Sequence, residues 1–440
     1  MFDLIVKGGI AVTPNGTEAV DIGLKDGRIA ALGDLDAGKA EQTIEARGLH
    51  VLPGVIDSQV HFREPGAEHK EDLGTGTAGA ALGGVTAIFD MPNTKPSTTT
   101  PEALADKLAR ARGRAWVDHA FYLGACAENV DQLGEWERLP GCAGVKLFMG
   151  SSTGTLLVDD AETLLRVLKG GSRRMAVHAE DEARLKERRP LVDVPSASPA
   201  LHPVWRDEET ALLATRRLLD QARTANRRVH VLHITTAEEL ESLAQYRDVA
   251  SVEVTPQHLT LAAPDCYERL GTYAQMNPPI RDERHREALW AAVRQGLVDC
   301  LGSDHAPHSH EEKGQPYPRS PSGMPGVQTL VPLMLDHVNA GRLSLERFVD
   351  LTSAGPARLF NLVGKGRIAL GYDGDLTLVD MKASRTITHQ WIASRCGWTP
   401  FEGMSVTGWP MATLIRGRVV MYEGQLQGTP EGQPLRFAGC

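Results

Sequence analysis

No long run of like charge interrupts this 440-residue chain, and its 47 basic and 56 acidic residues leave a net charge of −9. A polyanion such as nucleic acid therefore has no electrostatic footing. Long apolar runs are missing too. No stretch nears the roughly 20 residues a membrane-crossing helix needs, and the opening MFDLIVKGGIAV lacks the basic start and apolar middle of a secretory leader. A soluble, cytoplasmic protein is expected. Cysteine is scarce: six residues, at 126, 142, 266, 300, 396 and 440, form no CxxC pair and no regular framework. That excludes a disulfide scaffold and fits reduced thiols, packing residues apart from the terminal Cys440.

What is present is a change of texture along the chain. Residues 1–54 read as short strands, with LIVKGGIAV, DIGLKDGRIAALG and GLHVLPGVID set between glycine-rich and polar turns. From 55 to 364, apolar strand candidates (TAIFDM, HAFYLG, GVKLFM, RMAVHAE, RVHVLHI, ASVEV) alternate with helical segments such as PEALADKLARARGR and DEETALLATRRLLDQART. Such alternation predicts βα units around a parallel sheet. About eight units fit, the size of a closed (β/α)8 TIM-like barrel, although counting alone also admits an open doubly wound sheet. From 365 to 440 β texture returns in GRIALGYDGDLTLVDM and MATLIRGRVVMYEGQL, so both chain ends are expected to build one small β-sheet domain beside the barrel. HSHEEKGQPYPRSPSG, residues 308–323, is the candidate for a mobile loop over a site.

The polar residues decide between barrel and open sheet. His61, Lys146, His178, His233 and Asp304 each stand at or just beyond the end of an apolar strand, where barrel enzymes gather catalytic groups from several strands. Any one of these histidines alone is more often a structural residue than a ligand. Together they supply the imidazole nitrogens and carboxylate oxygens that Zn²⁺ takes. Lys146 is the odd member, because an ammonium is repelled by a cation. A desolvated lysine has a lowered pKa and can add carbon dioxide, giving a carbamate able to bridge two cations.

Further segments carry a likeness: DSQVHFREPG at 57–66, MPNTKP at 91–96, GVKLFMGSSTG at 144–154, VHAED at 177–181, VLHITTAEE at 231–239, MNPPIR at 276–281, SDHAPH at 303–308 and SGMPGVQ at 322–328. Together they resemble the dihydroorotases of the amidohydrolase superfamily, over nearly the whole chain. SDHAPH with HFREPG is specific, whereas VHAED and NPPIR are shared with hydantoinases, dihydropyrimidinases and allantoinases. The resemblance implies that His61, an N6-carboxylated Lys146, His178, His233 and Asp304 bind one or two zinc ions, with Asp304 also catalytic. It implies that Arg63, Asn93, Asn277 and His308 hold the substrate. An Arg fork suits a carboxylate, and amide side chains suit ring N–H and C=O groups.

Two positions depart from the family pattern. The metal motif is usually His-x-His, and here it reads Gln59-Val60-His61. An amide oxygen is a much weaker zinc ligand than imidazole, so the metal position served by His61, Lys146 and Asp304 is expected to be the weaker one. Gln257 likewise stands beside His258 where histidine is common in the family. The reading is reversible hydrolysis of dihydroorotate to N-carbamoyl-L-aspartate in pyrimidine biosynthesis. Its rivals are another cyclic amidohydrolase, or a silent dihydroorotase-like partner of aspartate transcarbamoylase. A homo-oligomer is expected, and aspartate transcarbamoylase is the candidate partner.

Overall fold

The computed structural model describes residues 1–150 and 156–439. Ser151 to Gly154 of the GVKLFMGSSTG segment, and Cys440, lie outside the described residues. Eight parallel strands follow in chain order: Val55–Val60, Val85–Asp90, Asp118–Gly124, Cys142–Phe148, Met175–His178, Val229–Val231, Ala250–Val254 and Cys300–Leu301. Just past the eighth strand, His305 forms a parallel bridge with Val60. The His61 N–H donates to the His305 carbonyl at 2.7 Å, bringing the first strand against the last. The structure therefore takes the barrel and not the open sheet.

The strands read as they do because both faces are covered. Every residue of VTAIFD in the second strand and CAGVKLF in the fourth is buried, as β-branched and apolar runs in parallel sheets are. The sequence places helix boundaries to within a few residues. Asp207, read as the first residue of a helix, is instead its cap, accepting the Thr210 N–H at 3.0 Å ahead of Glu208–Thr224. The eighth strand, only Cys300–Leu301, is too short for a periodicity to show.

GLHVLPGVID splits between two layers. His50–Pro53 pairs antiparallel with Leu376–Thr386, while Val55–Val60 enters the barrel. Gly54 makes the crossing. A Cβ there would meet Thr86 Oγ1 at 2.4 Å and Asp375 Cβ at 2.7 Å, so a side chain would force the layers apart. The sheet to which His50–Pro53 belongs has seven strands and draws on both ends of the chain, from Ile10–Thr13 to Gln425–Leu426. A second sheet of four strands is built from Phe2–Lys7, Asp21–Lys25, Arg28–Gly33 and Ala40–Glu45 alone. Beyond them the last residues run back under the barrel, where the Leu435 N–H donates to the His119 carbonyl at 2.8 Å and Phe437 packs on Phe89.

Of residues 308–323, His308, Ser322 and Gly323 line the cavity at the barrel mouth, and the segment is cross-braced. Buried Lys313 donates to the carbonyls of Pro321 at 2.9 Å and Gly323 at 3.1 Å, and Trp398 Nε1 donates to the His308 carbonyl at 2.7 Å. The polar composition that suggests mobility is spent on these internal bonds.

Barrel base and flanking sheet meet at a buried cation. Lys365 Nζ lies 2.7 Å from Asp118, 3.1 Å from Asp373 and 2.5 Å from Asp375, and Arg416 also pairs with Asp118. Removing that lysine leaves buried carboxylates facing one another, a loss of about 3–5 kcal/mol when a buried pair is broken from one side. Lys365→Met should lower the urea midpoint accordingly. An unchanged midpoint would mean that the carboxylates reach water instead.

Candidate active site

All ten residues named from sequence line one cavity of about 260 Å³ at the carboxyl ends of the strands: Gln59, His61, Arg63, Asn93, Lys146, His178, His233, Asn277, Asp304 and His308. His178 ends the fifth strand and Lys146 lies inside the fourth, while His61, His233 and Asp304 sit one to three residues past theirs. Three of these residues occupy left-handed backbone, with φ of 62° at Arg63, 39° at His233 and 45° at Asp304. Such conformations are costly for residues with a Cβ and cluster where a side chain must be aimed.

The mouth groups form two pairs. On one side His61 Nε2 lies 3.1 Å from Asp304 Oδ1, and His61 Nδ1 lies 2.7 Å from Asn93 Oδ1. On the other, His178 Nδ1 faces His233 Nε2 at 3.0 Å. Gln59 donates its amide N–H to Asp304 Oδ1 at 2.9 Å, and its own Oε1 is buried without a partner. Burial pushes the Asp304 carboxyl up, but the His61 hydrogen bond and the charges of His61, His233 and Lys146 hold it below its ordinary value. It is an ionised carboxylate with one oxygen already engaged.

Two cations at the mouth have no carboxylate within ion-pair distance among the described residues. Lys146 is 1% exposed and makes no hydrogen bond to a described residue, its Nζ lying 4.5 Å over the Phe148 ring. Burial lowers its pKa to about 7, so a neutral amine is accessible to it. Arg63 donates only to the Pro307 carbonyl at 3.1 Å and approaches His308 Nε2 at 3.2 Å, and burial lowers its pKa as well. Among the described residues no carboxylate lies within ion-pair distance of its guanidinium. His308 is kept neutral, its pKa pushed by burial and by Arg63 down to about 3, with Nε2 also 3.0 Å from the Ser322 carbonyl.

Sequence reasoning missed the residues that hold these groups. Glu180, inside the quoted VHAED, accepts from His178 Nε2 at 2.8 Å and is gripped by both arms of Arg206 at 3.1 and 2.6 Å. That bond fixes the His178 ring with Nδ1 toward the cavity. His202 Nε2 lies 3.1 Å from Asn277 Oδ1, and Lys70 reaches His308 Nδ1 at 3.2 Å. Nothing in the local sequence marked Arg206, His202 or Lys70, because their partners lie far away in the chain. Gln257 does not line the cavity, donating instead to the Ser303 carbonyl at 2.6 Å.

The amidohydrolase family model matches residues 50–420. The chain belongs to the amidohydrolase family. It is 38% identical over 422 residues to a dihydroorotase of Halobacterium salinarum, covering 94% of this chain and 96% of that one. It is 37% identical over 458 residues to an allantoinase of Rubrobacter xylanophilus, covering 99% and 98%. The solved L-hydantoinase from Arthrobacter aurescens superposes with a TM-score of 0.93 at 31% identity, covering 99% of this chain and all of the other. This amidohydrolase is thus a hydrolase acting on cyclic amides, of a family that is generally metal-dependent, and among its described residues no helix is long and apolar enough to cross a membrane.

Burial of Lys146 also links the site to stability. Its pKa in the fold, about 7, lies below the ordinary 10.5, so between those values the unfolded chain holds a proton that the folded chain lacks. Stability then rises with pH, the full penalty applying at and below pH 7 and fading by pH 10.5. In metal-free, carbon-dioxide-depleted buffer, Lys146→Met should exceed the parent in urea melts by at most about 4–5 kcal/mol near pH 7 and converge with it near pH 10. A gap independent of pH would show that the lysine stays charged in the fold.

Proposed function

We propose that the chain is a dihydroorotase, interconverting dihydroorotate and N-carbamoyl-L-aspartate. The observation that supports this best is Arg63: a desolvated guanidinium at the cavity wall, with no carboxylate within ion-pair distance among the described residues. Such a group is stabilised by an anionic ligand, and dihydroorotate carries a carboxylate that uncharged hydantoin, dihydrouracil and allantoin lack. His308, held beside Arg63 by Lys70, shares that end of the cavity. Asn93 and Asn277 have their amide oxygens engaged by His61 and His202, which leaves their N–H₂ groups for ring carbonyls.

The donor set fits a divalent cation. Two imidazole nitrogens face each other at 3.0 Å, Lys146 is poised to be neutral, and Asp304 is ionised. In this reading Lys146, N6-carboxylated, His178 and His233 hold one zinc tightly, and His61, Lys146 and Asp304 offer a weaker second place. A bound cation of this kind brings water to a pKa of about 7 and polarises a carbonyl. The chain's own part is to orient the ring amide between Asn93, Asn277 and Arg63, and to move one proton. Asp304 takes the proton from the attacking water and passes it to the leaving ring nitrogen, Gln59 and His61 fixing its carboxylate meanwhile.

The names of the relatives make a neutral cyclic amide the competing substrate, and Arg63 discriminates. Arg63→Met should lower kcat/KM for dihydroorotate by about 100-fold or more, the worth of two charge-assisted hydrogen bonds, and that for hydantoin or dihydrouracil by less than about 10-fold. Equal losses, or a parent that hydrolyses dihydrouracil far better than dihydroorotate, would overturn the assignment. Restoring imidazole tests the metal reading: Gln59→His should raise the metal content by about one equivalent per chain, since imidazole outcompetes an amide oxygen for zinc. No rise would mean that the second place is filled already or that another feature limits it.

A further inference from the structure

Inside the barrel, apart from the cavity, a second set of metal-type donors converges. His230 on the sixth strand, Glu253 on the seventh and Cys300 on the eighth meet with Ser58 of the first strand, all of them fully buried or nearly so. His230 Nε2 lies 3.2 Å from Glu253 Oε2 and 3.4 Å from Cys300 Sγ, and the sulfur lies 3.6 Å from the same carboxylate oxygen. Ser58 Oγ stands 2.8 Å from Glu253 Oε2 and 3.4 Å from Cys300 Sγ. Ligand bonds of about 2.0–2.3 Å arranged as a tetrahedron put nitrogen, oxygen and sulfur at such separations.

Hydrogen bonding leaves one part of this cluster unsatisfied. Ser251 Oγ, which accepts from Arg174 Nη1 at 3.0 Å, lies 2.8 Å from His230 Nδ1 and fixes the ring, so that Nε2 faces Glu253 Oε2. Glu253 Oε1 is buried with no partner among the described residues. A cation between His230, Glu253 and Cys300 satisfies that carboxylate, and Ser251 becomes the group that aims the ligand nitrogen.

We propose that His230, Glu253 and Cys300 form an interior metal site, distinct from the mouth, for a thiophilic divalent cation of the zinc class, with Ser58 beside its fourth position. The site fills as the chain folds, when the Cys300 thiol releases its proton to solvent and the sulfur becomes a thiolate ligand. Its position gives it a use. The seventh and eighth strands pair through only Glu253 with Cys300 and Val254 with Leu301, and that short seam leads directly to Ser303 and Asp304. A metal there clamps this two-pair seam next to the barrel's closure.

None of the residues lining the mouth cavity is a cysteine, so a thiolate signal separates the two sites. Full-length protein refolded with cadmium should show a thiolate-to-cadmium charge-transfer band and one bound ion per chain beyond those of the mouth. Cys300→Ser should lose the band and that one equivalent, whereas His178→Asn should keep the band. Glu253→Gln, which preserves the thiol and the shape of the side chain, should weaken retention of the same ion against a chelator by at least about 10-fold. Absence of the band in the parent protein, which needs no variant to fold, would overturn the proposal. So would a band that persists in Cys300→Ser, since it would then belong to another thiol.

Discussion

Closing the sheet on itself is the constraint from which the rest of the site follows. The His61 N–H bonds the His305 carbonyl, and so the first strand's last residues stand against a segment that arrives 243 residues later, with His61 Nε2 3.1 Å from Asp304. Neither residue has a local reason to be there. Once the closure is made, each intervening strand can deliver one group to the same mouth, because parallel strands all end on the same side. The left-handed backbone at Arg63, His233 and Asp304 shows what that delivery costs locally: the chain leaves its strand direction to turn a side chain inward.

The mouth is also where the fold tolerates charges it has not paired. Other buried ions are matched, as Lys365 is by three aspartates and Glu180 by Arg206, although buried Lys313 relies on backbone carbonyls. Lys146 and Arg63 are desolvated without such partners, and each is therefore a standing penalty. Under the proposed function such a penalty would be removed by what binds: loss of the lysine's charge beside a cation in one case, an anionic ligand in the other. On that reading stability and function are opposed at these two residues, beside a segment, 308–323, that is braced by its own hydrogen bonds.

Much of this was legible in the sequence, for physical reasons that differ by residue. Strands buried on both faces announce themselves as apolar runs, so six of the eight were placed as barrel strands, while the first was read together with His50–Pro53 as part of the flanking sheet; the strand ends pointed to His61, Lys146, His178, His233 and Asp304. The two-residue eighth strand left no pattern to read. Arg63, Asn93, Asn277 and His308 came from resemblance alone, since a polar loop residue carries no periodicity. What stayed hidden was every contact made at long range: the grip of Arg206 on Glu180, His202 behind Asn277, Lys70 behind His308. The internal bonds of residues 308–323 were hidden likewise, because a polar loop and a braced polar segment have the same composition.

Gln59 gains its meaning from these contacts. As a sequence difference it reads as the loss of an imidazole. In the fold its amide donates to Asp304 Oδ1, the oxygen that His61 also approaches, which leaves the other carboxylate oxygen as the one open to the cavity. An imidazole held by a cation would turn its lone pair toward the metal and could not make that bond. Under the proposed function, Gln59 gives up ligand strength at one metal place and in return fixes the orientation of the carboxylate proposed to carry the proton, so the two demands act in opposite directions on one side chain.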